Sequence, residues 1–387
     1  MKEQKNTDRI YTESQIRKLK EKKELETEKK EVNTSLNIFE KETINWHKYN
    51  LAKTQEKRLL YELAFELCSL IPEPPQENGR PRAKVKDIIF CLILKLYNNY
   101  SGRRITYDLE LAQNIGYISK KPHYNTLFDF LNCEATHDLL KKLLEISALP
   151  LSILEDKFSL DASGFGSYQY ERWKKFRFSP EFQTKATRNY LKGHICIGTR
   201  TNVIVSAEVT YGNFNDGKQA PALLEVLKEN YKPKEVSADM GYSSYRIHQI
   251  IESLDAMPFI PFQDRHNPVE GKAPEIWIRM YKYYNLNREE FLQHYHKRSN
   301  VETVFSMIKI KLGEFLKCKS YTAQRNELMI KFLCHNFCCL ISEIFERGVK
   351  INFERYRYKL NEEKKSPDNI KLETERDDEN IFDLKDI

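Results

Sequence analysis

The chain has 387 residues, of which 40% are hydrophobic and 31% are charged, and its formal net charge is +7. This length suits one catalytic domain and a smaller one, and the modest positive charge supports nucleic-acid binding only where basic residues cluster. The apolar run at residues 88–96 is broken by Lys95, so we expect no membrane span and no membrane partner. The start of the chain carries no signal-peptide pattern, which predicts a protein of the cell interior.

The first 150 residues predict a charged arm followed by helices. Residues 1–45 are rich in Lys and Glu and predict a flexible arm. The period of the apolar residues predicts helices over residues 46–70 and 86–97, separated by a proline-containing linker. Residues 105–132 fit either a helix-turn-helix that binds DNA or a plain helical pair, because an alanine precedes Gly116 by four positions.

From residue 151 the pattern changes to strands that alternate with helices, in the order β-β-β-α-β-α-β-α. This order predicts an α/β catalytic domain over residues 151–358, with a mixed sheet flanked by helices, after a helical DNA-binding region over residues 46–150. The acidic tail, residues 359–387, is predicted to be disordered. The predicted strands are 157–161, 194–198, 203–209, 235–239 and 258–261, and the predicted helices are 220–230, 243–253, 295–312 and 328–344.

Three carboxylates occupy positions that suit a metal site. Asp161 and Asp239 each end a predicted strand, and Glu302 lies on a late helix. A strand end presents its side chain at the open edge of a sheet, and carboxylate oxygens are the ligands that Mg²⁺ prefers. Two such ions about 4 Å apart can catalyse phosphodiester cleavage. Taken alone, each aspartate is better explained as a turn or helix-cap residue, and the metal site is favoured only when both aspartates and the glutamate helix are considered together.

The helix predicted over residues 295–312 combines a polar and an apolar face. Tyr295, Arg298, Glu302 and Lys309 are three, four and seven residues apart and fall on one face. The other face carries five apolar residues that can pack in a core. The pattern favours a phosphate-handling site, and the alternative is a solvated helix with one ion pair.

The connection between the first two predicted strands is strongly basic. Residues 165–200 contain eight basic and two acidic residues, with aromatic residues interleaved. Such a segment can neutralise DNA phosphates, while its aromatic rings stack on bases or simply pack. Its densest basic part consists of Arg172, Lys174, Lys175 and Arg177.

Two further features leave alternatives open. Three cysteines near His335 could suggest zinc, but they lie within one apolar helical segment and lack a second ligand pair, so we expect them to pack in the core. Trp277 fits either base stacking or packing.

Four stretches of the sequence resemble the motifs of one known family. They are Leu160–Gly164, Gly212–Asp216, Ala238–Ser243 and Arg298–Phe305. Together they resemble the DDE transposases of the insertion-sequence type, specifically the group with the YREK signature, over about residues 157–345. The resemblance implies an RNase H-like fold. It also implies that the three carboxylates bind two Mg²⁺ ions, for which Mn²⁺ can substitute.

The same resemblance implies further roles. Tyr295 and Arg298 would contact a DNA phosphate near the cut end, and Lys309 would hold the strand. The implied activity is cleavage at transposon ends and strand transfer into target DNA. A homodimer bound to double-stranded DNA would carry it out, in the cytoplasm at the nucleoid of a prokaryotic cell. The alternatives are a structure-specific nuclease and a retired transposase that only binds DNA. The large β-rich insertion of this group is not expected, because residues 263–294 are too few.

Overall fold

The computed structural model describes residues 45–76, 81–167, 190–263 and 273–361. The predicted arm before residue 45, the tail after residue 361 and the basic residues Arg172, Lys174, Lys175 and Arg177 therefore lie outside the described residues. The chain divides into two units, Met1–Asn50 and Leu51–Ile387. Of the first unit only residues 45–50 are described, and all contacts below belong to the second. The boundary predicted at residue 150 stays a prediction.

The described helices and strands follow the predicted order, with additional short elements. The helices are α1 (Trp46–Cys68), α2 (Val85–Tyr97), α3 (Thr106–Ile115), α4 (Tyr124–Leu131), α5 (Glu134–Ala148), α6 (Ala220–Asn230), α7 (Tyr245–Glu252), α8 (Glu275–Leu286), α9 (Arg288–Tyr295), α10 (Ser299–Leu312), α11 (Tyr321–Arg347) and α12 (Tyr358–Asn361). The strands are β1 (Lys157–Ser167), β2 (Tyr190–Gly198), β3 (Ile204–Tyr211), β4 (Glu235–Ala238), β5 (Met257–Phe259) and β6 (Phe315–Leu316).

The strands form one mixed sheet in the order β3-β2-β1-β4-β5, with β6 added to β1. The first three strands are antiparallel neighbours, whereas β1, β4 and β5 run parallel. The parallel pairs are connected through helices, as parallel neighbours require. This arrangement confirms the predicted α/β fold with an RNase H-like mixed sheet. The short strand β6 was not predicted, because two residues carry no detectable period.

Helix α11 is the central element of the core. It packs against α5, α2 and β3, and the cysteines Cys334 and Cys339 are buried within it. By length and hydropathy it could cross a membrane, but 78% of its apolar window is buried inside the protein.

A buried asparagine fastens the sheet to this helix. Asn336 on α11 is fully buried, and its Oδ1 accepts a 2.8 Å hydrogen bond from the backbone N–H of Ile204 at the start of β3. Its Nδ2 donates to the carbonyl oxygen of Ile204 at 2.8 Å and to Oγ of Ser147 on α5 at 2.9 Å. One side chain therefore joins three elements.

Helices α3 and α4 form the pair predicted over residues 105–132. Gly116 ends α3 with a φ of 93°, a left-handed conformation that glycine adopts without strain. Asp87 on α2 accepts hydrogen bonds from the backbone and hydroxyl of Ser119 and so fixes the connection. Residues 116–123 make this connection longer than the usual helix-turn-helix turn of about three or four residues. DNA binding by this pair stays a prediction.

A carboxylate at the start of β4 contacts two lysines and a histidine. The Glu235 oxygens lie 2.6 Å from Nζ of Lys157 on β1, 3.0 Å from Nδ1 of His294 on α9 and 3.1 Å from Nζ of Lys297. Burial alone raises the pKa of Glu235, but these partners together lower it to about 2. Glu235 therefore joins the segment before α10 to the sheet.

The Asn336 contacts predict a large effect of one substitution. Asn336→Ala should lower the free energy of unfolding by about 2–4 kcal/mol, because buried backbone groups of Ile204 lose their partner. Urea denaturation measures the change. The control Asn285→Ala, which removes an exposed bond to a helix carbonyl, should stay within about 0.5 kcal/mol of wild type. Equal effects of both substitutions would contradict the assignment.

The Glu235 cluster predicts a pH dependence of stability. In the folded protein the pKa of Glu235 lies below its ordinary value of 4.5. The stabilisation that Glu235 contributes is therefore complete above about pH 4.5 and is lost as the pH falls toward 2. Glu235→Gln should remove a contribution on the order of 2 kcal/mol from this acid-dependent change. Unfolding free energies measured from pH 3 to pH 7 test this. The exposed Glu289→Gln is the control and should keep the wild-type slope.

Candidate active site

Two aspartates come together where β1 and β4 stop pairing. The last pair in the parallel register joins Leu160 to Ala238, so Asp161 and Asp239 are the next residues on two neighbouring chains. Neighbouring strands lie about 4.8 Å apart, which places the two carboxylates side by side. The predicted meeting of two distant strand positions is therefore present in the sheet.

One part of the strand prediction was wrong. Asp161 does not end its strand, because β1 continues to Ser167 while it pairs with β2. The open edge arises from β4, which ends at Ala238 and leaves β1 without a parallel neighbour until β6 joins at Gly166. Asp161 therefore lies inside the long strand β1, at the position where its shorter neighbour β4 has already ended.

The backbone orients one oxygen of each aspartate. Oδ1 of Asp161 accepts a 2.8 Å hydrogen bond from the N–H of Ala162, and Oδ1 of Asp239 accepts a 2.7 Å bond from the N–H of Met240. Asp239 caps a short 3₁₀ helix, Met240–Tyr242, and is exposed, whereas the side chain of Asp161 is 19% exposed. The two carboxylates are thus held in place, one partly buried and one open to solvent.

Arg298 joins Asp161 to the third carboxylate. Its Nη1 lies 2.7 Å from Oδ2 of Asp161, and its Nη2 lies 2.6 Å from Oε1 of Glu302. Its Nε donates to the hydroxyl of Tyr295 at 3.1 Å. The guanidinium is 16% exposed and Glu302 is 60% exposed, so the cluster lies at the surface edge of the sheet. The structure therefore brings Asp161, Arg298, Glu302 and Tyr295 together.

The helix that carries these residues is not continuous, which corrects the prediction for residues 295–312. Helix α9 ends at Tyr295, a 3₁₀ turn spans His296–Arg298, and α10 begins at Ser299. A 3₁₀ turn is tighter than an α-helical turn and changes the direction of the side chains. The predicted apolar face of α10 is confirmed, because Val301, Val304, Phe305, Ile308 and Leu312 are buried.

The charges of the cluster act on one another. Burial raises the pKa of the Asp161 carboxyl, and the nearby charges of Asp239 and Glu302 raise it further, whereas the N–H of Ala162 and the guanidinium of Arg298 lower it. The net result is a raised pKa. Burial alone lowers the pKa of Arg298, but its interactions with Asp161, Tyr295 and Asp239 together raise it above the ordinary value. The guanidinium and the carboxylates therefore act on one another in a partly buried cluster.

Lys309 lies on the same edge, near the strand that carries Asp161. Its Nζ donates a 2.8 Å hydrogen bond to Oγ of Ser163 and lies 5.2 Å from the centre of the Phe165 ring. Ser163 is two residues beyond Asp161, so this ammonium group faces the same stretch of β1. The sequence analysis singled out Lys309 but assigned no role to Ser163, although this serine lies within the Leu160–Gly164 motif.

Other candidate residues have structural partners. Lys192 is one of the eight basic residues of the basic connection. Its Nζ lies 2.5 Å from Oδ1 of Asp216, the last residue of the Gly212–Asp216 motif. Trp277 is 3% exposed and packs with Tyr245 and Phe262, which supports packing rather than base stacking. Between β5 and α10 the described residues form two helices, α8 and α9.

The donor set fits a divalent cation in its chemistry. Three carboxylates from β1, the end of β4 and α10 provide the hard oxygen ligands that Mg²⁺ prefers. In the part of the chain that the structure describes, no group of three His, Cys, Asp or Glu side chains is arranged to hold a metal ion. The present arrangement is an arginine–carboxylate cluster, in which Arg298 bonds two of the three acids.

Comparison with known proteins identifies the domain. Residues 154–337 match the family model described as "Transposase DDE domain", and this range contains all three carboxylates. The chain is also similar to a piggyBac transposase, seen in a cryo-EM structure of its synaptic complex with hairpin DNA, at 12% identity and a TM-score of 0.39. That similarity covers 79% of this chain and 82% of the other.

No curated protein is significantly similar to the chain. The family match covers Asp161 in β1, Asp239 directly after β4 and Glu302 in α10. Residues 154–337, a little under half of the chain, are therefore similar to the transposase DDE domain.

Proposed function

We propose that this chain is the transposase of an insertion sequence of the YREK group. It cleaves DNA at the transposon ends and transfers the freed 3′ end to target DNA. The observation that carries the proposal is the alignment of Asp161 with Asp239 in the sheet, together with the link through Arg298 to Glu302. The family match over these residues supports the same conclusion.

Asp161, Asp239 and Glu302 are the residues that would hold Mg²⁺, or Mn²⁺ in its place. When bound, two such ions supply Lewis-acid stabilisation for an in-line displacement at phosphorus, which serves both cleavage and strand transfer. Burial raises the pKa of Asp161, and a bound cation would stabilise the charged form of this carboxylate. The backbone bonds to the two aspartates orient these carboxylates before any cation binds.

Cationic side chains at the same edge would bind the DNA backbone. The described partners of Lys309 are a hydroxyl group and an aromatic ring, which leave its charge uncompensated and available for a phosphate. Arg298 and Tyr295 lie beside the acids and are proposed to contact the phosphate near the cut. A homodimer on double-stranded DNA would hold two ends together, in the cytoplasm at the nucleoid.

Removing one metal ligand tests the activity. Asp239→Asn should abolish Mg²⁺-dependent strand cleavage and strand transfer on DNA that carries the element's ends, with a rate loss of about 10³-fold or more, because an acid ligand is lost. Gel assays of cleaved and joined products measure both steps. Asp255→Asn is the control, since Asp255 is exposed in a turn whose positive φ asparagine tolerates. An Asp239→Asn variant as fast as wild type would refute the assignment.

Lys309→Ala tests the path of the DNA. End binding should weaken, and the slope of log K against log salt should fall by about one, because one phosphate contact is removed. Fluorescence anisotropy across salt concentrations measures the slope. The exposed Lys228→Ala on α6 is the matched control and should bind as wild type does. An unchanged slope for Lys309→Ala would remove this residue from the DNA path.

A further inference from the structure

We infer that Arg298 acts as an internal stand-in for the divalent cation, and that a DNA phosphate must draw its guanidinium away before the carboxylates can bind metal. The inference rests on the proposed function and adds an order of events to it. Metal binding would be weak in the DNA-free protein and would become tight once DNA is bound.

The geometry makes the guanidinium and a shared cation exclude each other. One guanidinium bonds Oδ2 of Asp161 at 2.7 Å and Oε1 of Glu302 at 2.6 Å. A Mg²⁺ ion shared by these oxygens would lie about 2.1 Å from each of them. It would therefore take the space that the two Nη groups now fill. The side chains of Arg298 and Asp161 are 16% and 19% exposed and that of Glu302 is 60% exposed, so this space is closed beside Asp161 and open beside Glu302.

The charges also favour competition between the guanidinium of Arg298 and a divalent cation. With Arg298 in place, its single positive charge partly compensates Asp161 and Glu302, and it repels an incoming cation. With the guanidinium gone, three neighbouring carboxylates would face one another and would bind a divalent cation strongly. The affinity for metal should therefore depend on where one side chain points.

The surroundings allow the side chain to move while its backbone stays. The neighbouring Lys297 is bonded to Glu235 on β4, which anchors the 3₁₀ turn. The third bond of Arg298 goes to the neutral hydroxyl of Tyr295, which remains within reach of a displaced guanidinium. A planar guanidinium binds phosphate oxygens in the same forked way as it binds carboxylates. A backbone phosphate held near Lys309 is thus a suitable competitor for Arg298.

Metal titrations of the full chain without DNA test the first half of the inference. Free Mn²⁺ measured by electron paramagnetic resonance gives the affinity. Arg298→Gln should bind Mn²⁺ about tenfold more tightly than wild type, because the competing charge is gone. Arg298→Lys, which keeps the charge but loses the fork, should fall between the two. Arg279→Gln is the matched control, since it breaks an exposed arginine–glutamate pair on α8 and should leave the affinity unchanged.

The same titration with saturating duplex DNA at low salt tests the second half. DNA should raise the Mn²⁺ affinity of wild type about tenfold and that of Arg298→Gln hardly at all, because coupling needs the movable arginine. Asp239→Asn with DNA supplies the background from Mn²⁺ bound to DNA itself. Equal gains in wild type and Arg298→Gln, or no gain in wild type, would overturn the coupling.

The outcomes separate this inference from the proposed function. Wild type and Arg298→Gln could bind Mn²⁺ with equal affinity, and adding Asp239→Asn to each could abolish that binding. In that case the inference fails while the metal site stands. If no variant binds Mn²⁺ above background, with or without DNA, the proposed metal site fails and the inference fails with it. Circular dichroism of Arg298→Gln and Arg298→Lys shows that each variant is folded.

Discussion

The parallel pairing of β1 with β4 is the constraint on which the site depends. It runs from Lys157 and Glu235 to Leu160 and Ala238, and its end sets Asp161 beside Asp239 although they are far apart in sequence. A slip of one residue would turn one carboxylate to the other face of the sheet. The pairing is fixed by buried side chains such as Leu160 and Ala238, so the core of the protein determines the geometry of its chemistry.

A second constraint brings the helix to the sheet. The 3₁₀ turn before α10 is held at two points, through Lys297 to Glu235 and through Arg298 to Asp161. Glu235 stands at the start of β4 and Asp239 follows its end, so the same short strand positions both the turn and one of the acids. The buried face of α10 then orients Glu302 outward. Stability and site geometry are therefore linked through β4.

Much of this arrangement could be predicted from the sequence. The order of elements, the apolar face of α10 and the three acids follow from local patterns. The continuation of β1 past Asp161 could not be predicted, because it depends on pairing with β2. The break at residues 296–298 was also missed, since one 3₁₀ turn hardly disturbs a helical period. The contacts of Glu235 with Lys157 and Lys297, and of Arg298 with Asp161, join residues that are 62–137 positions apart, which no local pattern reveals.

In our proposal, Asp161, Asp239 and Glu302 converge on divalent cations. Anomalous scattering of Mn²⁺ in crystals of the protein bound to DNA tests this convergence. We expect anomalous peaks between the three carboxylates, at about 2.2 Å from their oxygens, with Arg298 turned toward a phosphate. Mn²⁺ bound elsewhere, with Arg298 still bridging Asp161 and Glu302 beside bound DNA, would contradict it.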